Sequence, residues 1–408
     1  MHAFADLLDS LISYDSMNVI MVGPFGLRRR GTMIRRALPM AAALVARGHR
    51  VMLLLPPWDS LQDAGRTFTW HGVRVINISL TPAWAPGQHV QITLRLLRVL
   101  LTMEPSVVHC FKPKAYAGLV HLMLWLLRRA GWWRGRLVVD ADDWEGPGGW
   151  NDAPGTGYTW AQRQFFAWQE RFGLTHADAL TLASAWLVRR VSMMGVPLER
   201  VHYVPNGVEV PTIGGSEAVI LEKKPETVLL YTRFVETTPV KVVSLWRQIV
   251  ARRPGARLLV VGDGEQGQAG ALRRLATAAG LGRSVVCLGW VPTETLPGVL
   301  AAGDVALVSV ADTIINRARS PVKLLELMAA GVPPVAQAVG EFGRIVVDGE
   351  SGSLLPPGDD KGLADGVMQL LVDETLRQRL AQGARQRVQR EYNWNRLAEE
   401  VERAYAGS

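Results

Sequence analysis

Apolar strand-like runs alternate with amphipathic helical stretches, and the alternation runs through the chain twice. Nothing else in the sequence restricts the fold as much. The run NVIMV at 18–22 has buried-strand character, followed by a basic, glycine-containing loop (PFGLRRRGT) and a helix over 33–47 that Gly48 stops. Strands are expected over 51–55, 73–78, 106–110 and 137–140, with a helix over 112–129 before the last. Strand, helix, strand in that order predicts a parallel sheet with helices on both faces and ligands at the carboxyl ends of the strands.

The rhythm restarts after Asn206-Gly207. Strands over 228–231, 257–261, 285–288, 305–308 and 334–336 alternate with helices over 242–252 and 268–279. Two charged amphipathic helices, over about 374–389 and 394–406, close the chain. Between the halves, 210–226 has the Pro, Gly and charge texture of a linker. The expected division is an N-terminal extension (1–16), an N-terminal domain (17–209), a linker (210–226), a C-terminal domain (227–385) and a C-terminal helical segment (386–408). A length of 408 residues also favours two domains. Met17 is read as a natural start, with 1–16 as an appendage.

Hydrophobic residues at 48% and charged residues at 20% fit large cores and exclude a disordered chain. No apolar run approaches the ~18–20 residues that span a bilayer. The first residues, MHAFADLLDS, lack the basic start of a signal peptide. Cys110 and Cys287 form no CxxC pair and suggest neither zinc nor a disulfide framework, which fits a reducing cytoplasm.

The loops carry the candidate chemistry. Gly23, Gly26 and Gly31 let backbone approach a ligand ahead of a helix start, an arrangement that suits an anion or a plain solvated turn. The loop is not a G-x-G-x-x-G fingerprint, which argues against a plain NAD dehydrogenase. In the second half, a strand ends at Thr232-Arg233 with Lys241 eight residues on; arginine forks phosphate oxygens and lysine adds a point charge. In Ser320-Pro-Val-Lys-Leu-Leu-Glu-Leu-Met-Ala-Ala-Gly331, Ser320 is expected to cap a helix that Gly331 ends. Lys323 then lies in the first turn against the helix dipole, a position that an anion would favour, and Glu326 sits among leucines. The competing reading is an exposed i,i+3 ion pair. The acidic run Asp140, Asp142, Asp143, Glu145 offers a base, a metal clamp, hydroxyl acceptors or turn caps.

These pieces together resemble family 4 glycosyltransferases of the GT-B fold. The resemblance covers about 17–400 and rests on GTMIRRALPMAAALVARGHRV, VHYVPNGVEV, LLYTRF, RLLVVGDGE, VVCLGWVP, LLELMAAGVPPVA and VVDGESGSLLPPGD. It implies two Rossmann-like, doubly wound α/β domains facing each other across a cleft. The C-terminal domain would bind a nucleotide-sugar donor and the N-terminal domain the acceptor, with the last helix packing back on the N-terminal domain. On that pattern Arg233 contacts the donor diphosphate, and Lys241, two or three residues late after ETTP, is its partner. Glu326 holds the ribose. The first glutamate of the family's pair is replaced by Ala318, between Arg317 and Arg319, as in S-P-x-K-x-x-E variants where Lys323 contacts phosphate or sugar. Gly31, Gly262, Val291 and Leu324 join the donor side. Asp142 stands where many members have a histidine near the transferred sugar, with Asp143, Lys112 and Lys114 on the acceptor side. The loop Gly340-Glu341-Phe342-Gly343 lacks the usual double glycine.

The resemblance thus implies a glycosyltransferase of glycan, glycolipid or polysaccharide synthesis, retaining by family default, with no metal or other cofactor. An inverting reaction would need Asp142 or Asp143 as base. The alternatives are a sugar-nucleotide epimerase of the same fold and a nucleotide-sugar binding protein. The formal charge of +8 divides unevenly: 22 basic and 15 acidic residues up to 210, against 23 and 22 after it. Within the first half, 119–136 sets Leu and three Trp beside four Arg, which suits either a bilayer interface or a core helix with a basic end. The partner expected for this charge is a phosphorylated or lipid-linked acceptor, or an anionic membrane face on the cytoplasmic side, not nucleic acid.

Overall fold

The computed structural model describes residues 16–27, 31–82, 87–209 and 223–407. The extension up to residue 15, the arginines at 28–30 and most of the expected linker (210–222) lie outside the described residues. Two units emerge. The first comprises residues up to Ala183, Leu187–Pro205 and the chain from Trp394; the second comprises Ser184–Trp186 and Asn206–Asn393.

The first unit holds β1 (Asn18–Val22), β2 (Arg50–Leu55), β3 (Thr67–Trp70), β4 (Val73–Asn77), β5 (Val107–Phe111), β6 (Arg136–Ala141), β7 (Ala179–Leu182) and β8 (Val201–Tyr203). Their order is β3-β4-β2-β1-β5-β6-β7-β8, parallel except for the β3–β4 hairpin. Val19, Ile20, Met21 and Val22 are wholly buried, as strands covered on both faces must be, which is why they form a continuous apolar run. The strand β3 was not expected: three of the four residues in TFTW are exposed, so this edge strand has no buried face to give it a pattern. A five-residue π-helical turn, Met33–Ala37, leads into α1 (Leu38–Ala46). Helices α2 (Ala115–Arg129) and α3 (Trp160–His176) pack on each other.

The second unit holds β9 (Thr227–Tyr231), β10 (Arg257–Val261), β11 (Val285–Gly289), β12 (Val305–Val308), β13 (Pro334–Gln337) and β14 (Ser353–Leu355), ordered β11-β10-β9-β12-β13-β14 and all parallel. This is the doubly wound order, with the switch point between β9 and β12. Val228 and Leu230 face one core cluster and Leu229 another, so period-two alternation serves helices on both faces. Around this sheet lie α4 (Pro239–Val250), α5 (Ile314–Ala318), α6 (Val322–Ala329) and α7 (Glu374–Glu391).

Residue 386, the expected start of the last segment, lies inside α7; the piece that packs with the first unit is α8 (Trp394–Ala406). Trp394, Leu397, Ala398, Val401 and Tyr405, spaced for one helical face, enter the core beside Val19 and Leu53. Glu402 on α8 accepts from Arg47 Nε (2.7 Å) and Nη2 (2.8 Å), with His49 Nε2 at 2.8 Å. Its carboxyl is held low: burial opposes the charge, but the Arg47 and His49 hydrogen bonds prevail.

The centre of the first unit is ionic. Arg36, in the π-turn, donates from Nε (2.8 and 3.0 Å) and Nη2 (2.7 Å) to Asp140 of β6. Their side chains are 1% and 0% exposed. Breaking such a pair strands one charge in the core, typically at ~3–5 kcal/mol. We expect Arg36→Met to lower unfolding free energy by about that much in urea denaturation; a loss below ~1 kcal/mol would show that the pair does not hold the unit together.

Candidate functional site

At the switch point of the second unit, the loops after β9 and β12 bring cations together. Tyr231 ends β9, Thr232 Oγ1 accepts from the Phe234 N–H (2.7 Å), and Phe234 takes a left-handed conformation (φ 58°) that buries its ring. Arg233 between them extends partly into solvent and meets the exposed Glu265 at 2.5 Å. Lys323, in the first turn of α6, lies 5.5 Å over the Tyr231 ring and 4.0 Å from Glu236. Burial pushes its ammonium down to about 8; Glu236 and Glu326 oppose the shift, Arg319 and Arg233 assist it. Lys323 thus lies in the same field as Arg233, Arg319 and Glu326.

Glu236 is the anion of this group. It accepts from Thr232 Oγ1 (3.0 Å) and from Arg319 Nη2. Burial works against its charge, but Arg319 and Lys323 hold its carboxyl well below the usual range. Lys241 takes another course: its side chain ion-pairs with Asp360, the first residue of the helix Asp360–Val372. Ala318, where the family pattern has a glutamate, is wholly buried. Leu324 is buried in the α6 core face, and Val291 packs against the cluster behind β9 and β10. Gly262 has a backbone reason of its own. Its φ is 106°, its N–H donates to Gly289 O (2.7 Å), and a Cβ there would stand 2.0 Å from Thr232 O.

Ser320 does not cap α6. Its Oγ accepts from the Asn206 N–H (3.0 Å) while Asn206 Nδ2 donates to Ser320 O (2.9 Å), and Pro321 occupies the cap position. The serine therefore ties the start of α6 to the segment that opens the second unit.

In the first unit, the acidic run separates into two roles. Asp140 is committed to Arg36 inside the core. Asp142, beyond the end of β6, accepts from Thr32 Oγ1 (2.7 Å) and pairs with Lys112 at 3.3 Å. Burial raises its carboxyl to about 6 against the pull of Lys112, with Asp143 and Asp140 adding to the rise. Lys112 also reaches Asp143 (2.7 Å) and Glu145 (3.2 Å), and Lys114 reaches Glu145 (3.0 Å) and Asn151 (2.6 Å). Lys112 and Ala115 both sit in left-handed backbone (φ 47° and 50°), strain that this ion cluster holds in place. Gly31 opens the turn that carries Thr32, its carbonyl accepting from the Arg35 N–H (3.1 Å). Both acceptor-side lysines are thus matched by carboxylates.

The run 119–136 divides between core and surface. Val120, His121 and Leu124 are buried, whereas Leu126 (46%) and Trp132 (80%) are exposed. Among the described residues no helix is long and apolar enough to cross a membrane, and no group of three or more His, Cys, Asp or Glu could hold a metal ion. Sequence reasoning missed Glu236 and Arg319. The only signal for them was negative: a carboxylate absent at 318 with arginines on either side.

Comparison with known proteins gives two family matches. Residues 31–207 match the glycosyl transferase 4-like domain and residues 216–387 match glycosyl transferases group 1. A phosphatidyl-myo-inositol mannosyltransferase of Mycobacterium leprae is 28% identical over 95% of this chain and 96% of its own. An N-acetyl-alpha-D-glucosaminyl L-malate synthase of Bacillus anthracis is 26% identical over 58% of this chain and 61% of its own. Among solved structures, sucrose-phosphate synthase from Thermosynechococcus elongatus superposes with a TM-score of 0.71 at 22% identity, covering 95% of this chain and 98% of that one. WaaG, a glycosyltransferase of lipopolysaccharide biosynthesis, gives 0.65 at 15% identity, covering 94% and 98%.

Proposed function

Because the chain belongs to the group 1, family 4 glycosyltransferases, we propose that it moves a sugar from a nucleoside-diphosphate sugar to a hydroxyl of a lipid-linked acceptor, with retention. The observation that carries the donor assignment is a half-buried lysine, Lys323, in one electrostatic field with Arg233 at the switch point of the second sheet. Glycosyl transfer leaves a nucleoside diphosphate, so charge builds on the β-phosphate as the bond to the sugar breaks. Arg233 and Lys323 are the groups that stabilise it, and Glu326, one turn along α6, accepts the ribose hydroxyls. The phosphate charge is met by side chains, and the proposal includes no metal or other cofactor.

With retention, the departing phosphate oxygen takes the acceptor proton and no separate base is obligatory. Asp142, held by Thr32 and Lys112, then orients sugar hydroxyls as an acceptor of hydrogen bonds. The lipid-linked acceptor follows the class in the mannosyltransferase relatives' name. An anionic membrane face is its proposed setting, supported by the basic first half and by the exposed Trp132 beside Arg134.

Three measurements test this reading. A thermal-shift panel of UDP-, GDP-, ADP- and dTDP-sugars identifies the donor, and with that donor Arg233→Ala should lower kcat/KM about 10²–10³-fold; near-wild-type turnover sinks the assignment. The Asp142 carboxylate is lost as pH falls through about 6. Accordingly, kcat/KM should drop about tenfold per unit below that point, and Asp142→Asn should abolish this limb. An unchanged acid limb in the variant removes Asp142 from the reaction. Finally, the protein should float with vesicles containing phosphatidylglycerol and not with phosphatidylcholine alone; binding to neither leaves a soluble acceptor.

A further inference from the structure

Lys241, the second cation that the family pattern offers, ion-pairs with Asp360. Arg319 and Glu236, which no pattern in the sequence singled out, lie in the field of Lys323. They lie 83 residues apart in the chain and meet at the carboxyl ends of β9 and β12, with side chains 13% and 11% exposed. Glu236 is fixed from three sides: by the Thr232 hydroxyl, the Arg319 guanidinium and the Lys323 ammonium. Arg319 and Arg233 each also bury an Nε–H that has no acceptor among the described residues. A buried donor without a partner is costly, so two at one switch point call for an acceptor from outside.

We infer that Arg319 is the second diphosphate-binding cation of this site, and that Glu236 is the positioning residue that aims Arg319 and Lys323 at the phosphates. The inference rests on the donor reading proposed for this site. Three cations within one field repel each other, and alone they would splay apart or lose a proton. One buried carboxylate among them holds the constellation together while no substrate is present, so donors are already placed when the phosphates arrive. Glu236 does not touch the phosphates, which carry its own sign of charge. It acts through Arg319 and Lys323.

The charged groups around Lys323 set what a test should read. Glu236 and Arg233 face it from the β9 loop, Arg319 from the connection between α5 and α6, Glu326 from its own helix, and the Tyr231 ring lies beneath. Glu236 raises the pKa of the ammonium and Arg319 lowers it, so the two substitutions have opposite signs. The chain has seven lysines. Reductive ¹³C-methylation gives each an NMR signal, and Lys323→Arg identifies the one that matters.

In the wild type that signal should titrate near 8. Glu236→Gln should move its midpoint down by about one pH unit and weaken UDP or GDP binding at pH 8 about tenfold, with recovery towards pH 6.5. Glu236→Asp should restore part of both. Arg319→Gln should move the midpoint up and yet weaken diphosphate binding about 10–100-fold, a combination that a merely structural role would not produce. An unmoved midpoint in Glu236→Gln, or unchanged diphosphate affinity in Arg319→Gln, overturns the inference. Should Glu236→Gln fail to fold, the partly exposed Arg319→Gln keeps the test in force. Should UDP, GDP, ADP and dTDP all fail to bind the wild type while the two midpoints shift as expected, the donor reading falls and the phosphate role falls with it, while the placement of Lys323 by Glu236 stands.

Discussion

The first unit is organised around the Arg36–Asp140 ion pair. A guanidinium and a carboxylate this deeply buried are tolerated only when every remaining donor and acceptor finds a partner. Arg36 Nη2 therefore also donates to Val204 O (2.8 Å), just past β8, and Thr181 of β7 donates its hydroxyl proton to Asp140 (2.7 Å). With that proton used, Thr181 Oγ1 must accept from His109 Nε2 (3.0 Å), which leaves Nδ1 to accept from the Tyr405 hydroxyl (2.8 Å). The tautomer is consistent with charge: burial lowers His109 to about 4, so the ring is neutral. One ion pair thus orients hydrogen bonds from the π-turn, β5, β6, β7 and α8.

The same pair places the Asp142 carboxylate. Arg36 and Thr32 are one turn apart, and Asp140 and Asp142 two residues apart along an extended strand end, so both pairs lie on matching faces. The π-turn is therefore registered on β6 twice, once in the core through Arg36 and once at the surface through Thr32. Asp142 inherits its position from a salt bridge buried in the core. Conversely, the charge excess of the first half does not lie here. Lys112 and Lys114 are met by Asp142, Asp143 and Glu145, and the uncompensated base lies elsewhere on that half, at exposed sites such as Arg129 and Arg134.

The parallel sheets were legible because strands buried on both faces need continuous apolar runs, and NVIMV or RLLVV can be little else. The exposed edge strand β3 and the three-residue β8 carry no such run and gave no signal. In the site, Arg233, Lys323 and Glu326 could be picked out because each is locally odd: a cation at a strand's end, another at the wrong end of a helix, a carboxylate among leucines. Glu236 and Arg319 have ordinary local settings, and their meaning comes from a contact across 83 residues that no spacing encodes. Asp140 shows the reverse failure. Within DADDWEG it looks equivalent to Asp142, and only the partner across the fold separates a core counter-ion from a surface carboxylate.

The two units resolve one electrostatic problem in opposite senses. Around Asp142, carboxylates outnumber lysines and burial lifts a carboxyl pKa; around Lys323, three cations face two carboxylates and burial lowers an ammonium pKa. In each case a minority counter-ion, Lys112 or Glu236, limits the shift, so that both groups are charged between about pH 6 and 8. A cation cluster with no carboxylate would let Lys323 lose its proton more readily and would hold its donors less firmly. Catalysis gains only from interactions that strengthen as charge develops. Donors that Glu236 already holds in place need not rearrange as charge develops on a bound phosphate.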